Sequence, residues 1–326
     1  MIGRRLAFKS EPSIQHFPHV VRSVFNQELF LTADVRPIEA KVPIGISALR
    51  TPRECLVWLN MACLDAPLVA IAWQWLFART FDVVVTIADR EALFLTTWLI
   101  YLIDRFADSV SLASNVPRSW RQKFCLEHRN IWVALMIAVA ALDAGILWWW
   151  LDYETLSRGL FLGAIVLAYL AINHAFSKLW QVLPFKEIII GLLFAAGTIL
   201  SFAPKVLVGK LTLALVAFLF ACLCSLNCIT IAIWECDLDQ AQRKYSIATR
   251  WLSASNGTKT LSLFLTLASA ALGFYDHRFG QFAACLAVSS LLLTVLNSAP
   301  MRRDERTALA DLILLLPLLF WFVDML

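Results

Sequence analysis

Two pairs of carboxylates follow long apolar runs in the sequence. Asp104 and Asp108 form the first pair, and Glu235 and Asp239 form the second. The members of each pair are four residues apart, so a helix would bring both carboxylates to the same face. Two such pairs on facing helices would offer hard oxygen ligands to Mg²⁺, which usually takes one or two carboxylates together with phosphate oxygens and water. The spacing therefore predicts a shared magnesium site, provided that the two helices face each other.

Basic and aromatic side chains surround both pairs. Several charges are needed to neutralise a diphosphate, and the basic residues near the pairs are Arg105, Arg121, Lys123, Lys178, Lys186, Arg243 and Lys244. Tyr101 and Trp234 stand next to the pairs, where their ring faces could stabilise a carbocation. They are equally typical of aromatic side chains at a membrane interface. A simpler interpretation of each pair, a solvated helix end with Asp–Arg ion pairs, also stays open.

The composition is that of a polytopic membrane protein. Of the 326 residues, 60% are hydrophobic and only 16% are charged, whereas an ordinary soluble domain is nearer half apolar and a quarter charged. A spanning helix needs about 20 mostly apolar residues. Nine segments meet this requirement: 55–78, 92–110, 131–151, 158–176, 186–204, 211–234, 258–275, 280–298 and 307–326. We therefore predict an all-α bundle of nine transmembrane helices over residues 51–326, preceded by a polar arm on the membrane surface over residues 1–50.

The distribution of Lys and Arg predicts the orientation of this bundle. If the N-terminus is cytoplasmic and nine helices alternate, 22 of the 28 basic residues fall on the cytoplasmic side, as the positive-inside rule requires. The loops 109–130 and 240–257, which follow the two acidic pairs, are then cytoplasmic, and the C-terminus lies on the opposite side. We expect a multi-pass protein of a bacterial inner membrane, in contact with membrane lipid and without a nucleic-acid partner.

Polar residues inside the apolar segments are further candidates. Asn60 and Asp65 lie in the first segment, and Asn173 and His174 lie near the end of the fourth. Polar side chains at membrane depth usually face the interior of the bundle. Asp65 and His174 are therefore candidate functional residues, although an interhelical hydrogen bond is the commoner explanation for such side chains.

The order of these features resembles the UbiA superfamily of intramembrane prenyltransferases. The first motif of that family is N-D-x-x-D-x-x-x-D, and Asp104 and Asp108 fall on its last two aspartates, while Ile100 and Tyr101 replace its Asn and first Asp. The second motif is D-x-x-x-D, where Glu235 replaces the first Asp and Leu238 stands where Gly is common.

Two further stretches carry the same resemblance. The stretch 246–250 (SIATR) resembles the T-L-x-x-R segment that follows the second motif. The stretch from Ser177 to Trp180, followed by 184–194, is similar to the loop and fifth helix of the family. The resemblance covers about residues 50–326 and leaves the N-terminal arm outside.

The resemblance implies magnesium-dependent transfer of a prenyl group from a prenyl diphosphate to a lipophilic, for example aromatic, acceptor. It implies that magnesium is held by Asp104, Asp108, Glu235 and Asp239. The residues expected to contact the substrates are Arg105, Lys178, Tyr101, Trp234, Lys244 and Arg250. A non-catalytic lipid-binding or scaffold protein on the same fold is the alternative, because the first motif lacks two polar positions.

Overall fold

A computed structural model describes residues 58–113, 115–176, 179–182, 185–206, 209–251 and 253–325 of the chain. The regular elements within these ranges are all helical, as predicted, and none of them is a strand. The predicted surface arm over 1–50 lies outside the described residues. The α-helices are α1 (Asp65–Thr80), α2 (Ile87–Val110), α3 (Trp120–Glu127), α4 (Arg129–Trp149), α5 (Tyr153–Ala175), α6 (Leu179–Val182), α7 (Lys186–Ile199), α8 (Lys210–Trp234), α9 (Cys236–Ala241), α10 (Ile247–Arg250), α11 (Ala254–Tyr275), α12 (Gly280–Asn297), α13 (Arg303–Ile313) and α14 (Pro317–Met325).

Five stretches of helix in the described chain are long and apolar enough to cross a membrane. Four of them are α4, α5, α8 and α11, and the fifth is α12 extended by the short 3₁₀ turn His277–Phe279. A sixth candidate is the pair α13 and α14, which bends by 49° at a short break. The chain is therefore a helical bundle with several spans of membrane length, which confirms the coarse prediction of a multi-pass membrane protein.

The remaining three predicted spans coincide with helices that differ from an ordinary span. Helices α1 and α7 have 16 and 14 residues, which is short for a hydrocarbon core about 30 Å thick. Helix α2 has 24 residues but carries Asp89, Arg90 and Glu91 near its start and the first acidic motif near its end. The total of nine spans therefore stays a prediction.

Polar caps begin the helices that position the candidate site. Thr86 starts α2 with a capping box, in which its hydroxyl accepts from the Asp89 N–H and the Asp89 carboxylate accepts from the Thr86 N–H, both at 3.1 Å. Ser119 and Ser246 form the same type of box at the starts of α3 and α10. Because a cap satisfies amide donors that have no intrahelical partner, these residues fix where each helix begins.

The core is aromatic and lies between α1, α8 and α12. Trp73 is fully buried; its ring stacks on Phe220 at 4.4 Å and meets Phe282 edge-on at 5.3 Å. Its indole N–H donates to the carbonyl of Leu314 at 2.8 Å. Leu314 follows the last residue of α13, so the tryptophan satisfies a carbonyl near the break between α13 and α14.

Helices α7 and α8 pack at unusually short range. A Cβ atom added to Gly191 of α7 would lie 2.2 Å from the Ser225 hydroxyl oxygen and 2.6 Å from the Ala221 carbonyl oxygen of α8. Only a residue without a side chain fits there, as at many interfaces between membrane helices. This contact holds the start of α7 near the end of α8, where the second acidic motif begins.

Helices α4 and α5 present apolar side chains outwards. Less than a fifth of each spanning window is buried, and the exposed side chains include Trp148, Trp149 and Trp150 at the end of α4. Tryptophan is enriched where a membrane meets water, and an apolar surface of this extent suits a lipid environment.

Candidate functional site

The first acidic pair faces two polar residues at the end of α5. His174 Nε2 lies 3.1 Å from an Asp104 oxygen, and its Nδ1 lies 3.8 Å from an Asp108 oxygen. The Asn173 amide donates to Asp104 at 3.4 Å. About a third of each aspartate side chain is exposed (34% for Asp104 and 33% for Asp108). The predicted shared face of α2 is therefore confirmed, and both carboxylates are accessible to a ligand.

A lysine that follows the second motif contacts the first acidic pair. Lys244 follows α9, and its ammonium group lies 2.8 Å from an Asp108 oxygen. Its backbone N–H donates to the Asp239 carbonyl at 2.8 Å, across a turn in which Arg243 has a left-handed backbone (φ 55°). Lys186, at the start of α7, acts electrostatically on both Asp108 and Asp239. Asp108 and Asp239, one from each motif, therefore border the same two lysines.

A buried glutamine ties together the loops that follow the two motifs. The Gln242 amide donates to the Pro117 carbonyl at 2.8 Å and to the Gln122 side-chain oxygen at 2.9 Å. Gln242 and Gln122 are both less than 10% exposed. These bonds hold the turn that carries Lys244 against the segment between α2 and α3.

Asp239 is half-buried at this junction. Burial raises the pKa of its carboxyl above the usual value, and the Glu235 charge adds to the rise, while Lys186 and Lys244 act in the opposite direction. Burial favours the protonated form of a carboxyl, and a cationic ligand nearby would stabilise the ionised form. Asp239 therefore titrates closer to neutral pH than an exposed aspartate does.

Glu235, the other member of the second pair, makes a different contact. Its carboxylate pairs with the Arg121 guanidinium of α3, and both side chains are largely buried. Arg121 also donates to the Asn60 side-chain oxygen at 3.2 Å. Glu235 thus faces α3 and the chain before α1, and the structure shows no direct contact between Glu235 and the first pair.

The predicted four-carboxylate nest is only partly assembled. Within the described ranges, no three His, Cys, Asp or Glu side chains are grouped closely enough to hold a metal ion. Asp104 and Asp108 remain two accessible carboxylates on one helix face, which is the number that Mg²⁺ takes when phosphate oxygens complete its shell. Glu235 fits that role poorly, because its charge is already neutralised by Arg121.

The predicted aromatic residues contact cations of the protein itself. The Arg105 guanidinium lies 5.3 Å from the centre of the Tyr101 ring. The Arg306 guanidinium lies 5.2 Å from the centre of the Trp234 ring, and the Trp234 indole donates to Asn297 at 2.8 Å. Both rings therefore already make cation–π contacts.

Of the last two predicted substrate-binding residues, the structure describes only Arg250. Lys178 is outside the described residues. Arg250 is exposed at the end of α10.

A buried carboxylate beside the site was missing from the sequence prediction. Glu187 is only 2% exposed; one of its oxygens accepts from the Ile247 N–H at 3.3 Å, and its other oxygen has no hydrogen-bond partner among the described residues. It lies within electrostatic range of Asp239. The signal available in the sequence was an acidic residue in the first turn of an apolar helix, next to Lys186.

An apolar groove adjoins the same junction. It has a volume of about 210 Å³ and runs between α8, α10 and α11, and its apolar side chains include Ile229, Ile247, Trp251 and Leu261. The Ile247 N–H that binds Glu187 connects this groove to the charged part of the site. A polar cluster and an apolar groove therefore lie next to each other.

A second polar cluster, not predicted as a unit, lies deeper in the bundle. The Asn60 amide nitrogen donates to Asp65 at 2.5 Å and to Asp311 at 3.0 Å, and the Asn227 amide donates to Asp311 at 2.9 Å. The predicted candidate Asp65 thus accepts a local hydrogen bond from Asn60, and the longer-range bonds of the cluster go from Asn60 and Asn227 to Asp311 of α13. Asp311 and Asn227 could have been found as polar residues within the apolar segments 307–326 and 211–234.

Comparisons with protein-family models, with curated proteins and with solved structures found no match to this chain.

Proposed function

We propose that the chain is a UbiA-like intramembrane prenyltransferase, which transfers a prenyl group from its diphosphate to a lipophilic acceptor. The single observation that carries the proposal is the meeting of the two motifs, in which Asp108 contacts Lys244 at 2.8 Å beside Asp104 and His174. Such a mixture of carboxylates and ammonium groups suits a diphosphate that binds together with a divalent cation.

Lys244, Lys186 and His174 would have different roles in binding the diphosphate. Lys244 and Lys186 would neutralise diphosphate oxygens directly, and binding would draw Lys244 away from Asp108. His174 bridges towards both aspartates at 3.1 Å and 3.8 Å, so it would hold their side chains in one orientation while Lys244 moves.

Asp104 and Asp108 would hold magnesium, and Asp239, whose carbonyl accepts from the Lys244 N–H, would be the carboxylate contributed by the second motif. When bound, the ion absorbs the negative charge that develops on the departing diphosphate. We assign Glu235 to positioning instead, because its ion pair with Arg121 fixes the end of α8.

The apolar groove lined by Ile247 and Trp251 would receive the hydrocarbon chain. In the reaction, the allylic C–O bond breaks and its electron pair leaves with the diphosphate. A nucleophilic atom of the acceptor then forms a bond to the allylic carbon and loses its proton to solvent or to a nearby base. An apolar groove beside the charged cluster keeps water from the carbocation.

The direct test uses the purified full-length chain in detergent or nanodiscs, with magnesium and prenyl diphosphates of several chain lengths. We expect release of diphosphate in the wild type and its loss in Asp108→Asn and Asp239→Asn. Asp276→Asn is the matched control, since Asp276 pairs with Arg278 in an exposed turn. Equal release from all four proteins would contradict the proposal.

The orientation is part of the same proposal. We propose that the loops 109–130 and 240–257 face the cytoplasm and that the turn at 276–278 faces the opposite side of a bacterial inner membrane. Single cysteines at the exposed positions Asn115, Arg243 and Arg278, in a background without other cysteines, test it. An impermeant maleimide should label only the cysteine at 278 in intact spheroplasts, and the reverse pattern would overturn the orientation.

A non-catalytic lipid-binding or scaffold protein is the second candidate. The observation that favours it is that Asp108 and Glu235 are each already paired with a basic side chain. In that case a prenyl diphosphate would bind in a manner dependent on Lys244 but would not be cleaved. Binding without diphosphate release, for every donor tested, would favour this candidate over the enzyme.

A further inference from the structure

Two adjacent residues of α3 hold both ends of the second acidic motif. Arg121 pairs with Glu235, which directly precedes α9. Gln122 is hydrogen-bonded to Gln242, which directly follows α9. Helix α9, which carries Asp239, is therefore fixed at its start and at its end by neighbouring side chains of α3.

The two glutamines form a reciprocal pair that is buried, with Gln122 6% and Gln242 9% exposed. The Gln242 nitrogen donates to the Gln122 oxygen at 2.9 Å, and the Gln122 nitrogen donates to the Gln242 oxygen at 3.3 Å. The Gln122 oxygen also accepts from the Ser119 N–H at 2.9 Å. The Gln242 nitrogen also donates to the Pro117 carbonyl at 2.8 Å. Because a backbone N–H can only donate and a carbonyl can only accept, the orientation of each amide is fixed by the backbone.

The turn that this pair holds directs Lys244 towards the first acidic pair. Arg243 follows Gln242 with a left-handed backbone (φ 55°), which is uncommon for a residue other than glycine. The Lys244 N–H donates to the Asp239 carbonyl at 2.8 Å, and the Lys244 ammonium group lies 2.8 Å from an Asp108 oxygen. The direction of the chain after α9, and with it the direction of the Lys244 side chain, therefore depends on where Gln242 is held.

We propose that Gln122 and Gln242 are positioning residues, which hold the Lys244 ammonium group beside Asp108. A pair of neutral amides fixes the turn without adding a charge to a site that already contains carboxylates and lysines. The consequence for binding a diphosphate rests on the proposed function, whereas the position of Lys244 is independent of it.

The test measures how fast Lys244 is methylated by formaldehyde and a borohydride in the purified full-length chain in nanodiscs, read by mass spectrometry of its peptides. The Lys244 side chain is 23% exposed, so the reagent can reach it. An ammonium group bound to a carboxylate reacts more slowly than a free one, because the ion pair must first open. Asp108→Asn gives the rate of the unpaired lysine, and the exposed Lys123 of α3 is the internal reference.

Gln242→Glu replaces the amide nitrogen by an oxygen with little change in volume, so both bonds that the nitrogen donates are lost. We expect methylation of Lys244 to rise about two- to fivefold, the range that the loss of a partly exposed ion pair allows. In the Asp108→Asn background the same substitution should add nothing. A merely structural role would instead raise the rates of Lys244 and Lys123 in both backgrounds and would overturn the proposal.

Gln240→Glu is the matched control. Gln240 is an exposed glutamine of α9, so this substitution adds the same charge two residues away and leaves the buried pair intact. It should not change the rate of Lys244. If Gln242→Glu fails to fold, Gln122→Glu replaces it; this variant keeps the oxygen that accepts from Ser119, and we expect a rise of about twofold. Equal rates in the variants of Gln240 and of the buried pair would overturn the proposal.

Binding of inorganic diphosphate with magnesium, measured by titration calorimetry, separates this inference from the proposed function. We expect Kd to rise by about tenfold in Gln242→Glu, because the Lys244 ammonium group is no longer held at the site, and to stay unchanged in Gln240→Glu. A wild type that binds no diphosphate would contradict the proposed function, while the methylation rates would still decide whether the glutamine pair positions Lys244.

Discussion

The two polar regions of the bundle contain the same chemical groups in opposite settings. At the junction of the motifs, Asp104 and Asp108 are each about one third exposed, and a histidine and a lysine contact them. In the deeper cluster, Asp65 and Asp311 are less than a tenth exposed and are contacted by the amides of asparagine. The two pairs of aspartates thus differ in solvent exposure and in the type of side chain that contacts them.

Because of this difference, the contacts of the aspartates can be exchanged at the junction but not in the deeper cluster. A lysine at the end of a flexible four-carbon chain can leave Asp108 when a stronger anion arrives. An asparagine amide that is fixed by Arg121 cannot move away from Asp65 without breaking several buried hydrogen bonds. The junction is therefore suited to binding and releasing a ligand, and the deeper cluster is suited to holding α8 and α13 together.

The largest expected effect comes from removing the amide that bridges the deeper pair. Asn60→Ala leaves Asp65, Asp311 and Arg121 each without one buried partner, and each such loss destabilises by about 1–3 kcal/mol. We expect a total loss of about 3 kcal/mol or more in the free energy of unfolding, measured by reversible denaturation in mixed micelles.

Asn173→Ala provides the contrast at the junction. Asn173 donates to Asp104 at 3.4 Å from a half-buried position, so its removal should cost no more than about 1 kcal/mol. Similar losses for the two variants would mean that the two regions do not differ in the way described.

The next effect concerns turnover at the junction. Asp108→Asn removes a charged ligand with little change in volume, and even indirect partners of a metal are worth about 10–100-fold. We expect turnover to fall by at least that factor, while the free energy of unfolding changes by about 1 kcal/mol or less, as for a partly exposed ion pair. If the variant is destabilised enough for unfolding to account for the lost turnover, Asp108 has a structural role instead.

The pH dependence gives a smaller effect with a defined sign. Because burial raises the pKa of Asp239, acidification protonates it at a higher pH than an exposed aspartate. Magnesium-dependent diphosphate binding should weaken as the pH falls, by at most about tenfold per pH unit for one proton. Asp239→Asn should flatten this profile.

The stability of the ligand-free chain should respond to Asp239 in the opposite direction. A raised pKa means that the folded chain binds the proton more tightly than the unfolded chain does. The contribution of Asp239 to stability is therefore most favourable below its unfolded pKa and is lost as the pH rises through the raised pKa. Binding and stability curves with the same sign would contradict this assignment.

The smallest effect is the coupling between Asp108 and Lys244. Both side chains are partly exposed, and pairs of this kind usually contribute about 0.2–1 kcal/mol. A double-mutant cycle with Asp108→Asn and Lys244→Met should fall in that range. The cycle between Asn60 and Asp311 should exceed it clearly, and equal coupling energies would remove the distinction between the two regions.

The sequence predicts the helices and one face of the site for simple reasons. Apolar runs of spanning length predict α4, α5, α8, α11 and α12, because hydropathy is a local property. The spacing of Asp104 and Asp108 predicts their common face, because the period of the helix is fixed.

The long-range partners are not contained in any local pattern. Arg121 and Glu235 are separated by 114 positions, and Asn60 and Asp311 by 251. Periodicity shows which side of a helix is polar but not which other helix lies opposite. For this reason the sequence predicts Glu235 as a partner of the first pair, whereas the structure shows it paired with Arg121.

The contact at Gly191 determines which parts of the molecule can move apart. The backbone of α7 rests on Ser225 and Ala221 of α8 with no space for a side chain, so these two helices behave as one rigid body. Lys186 and Glu187 begin one member of this body, and Glu235 follows the other. A ligand that entered the junction would therefore meet a rigid wall on one side, and on the other the polar contacts that join α2 to α5 and to Lys244.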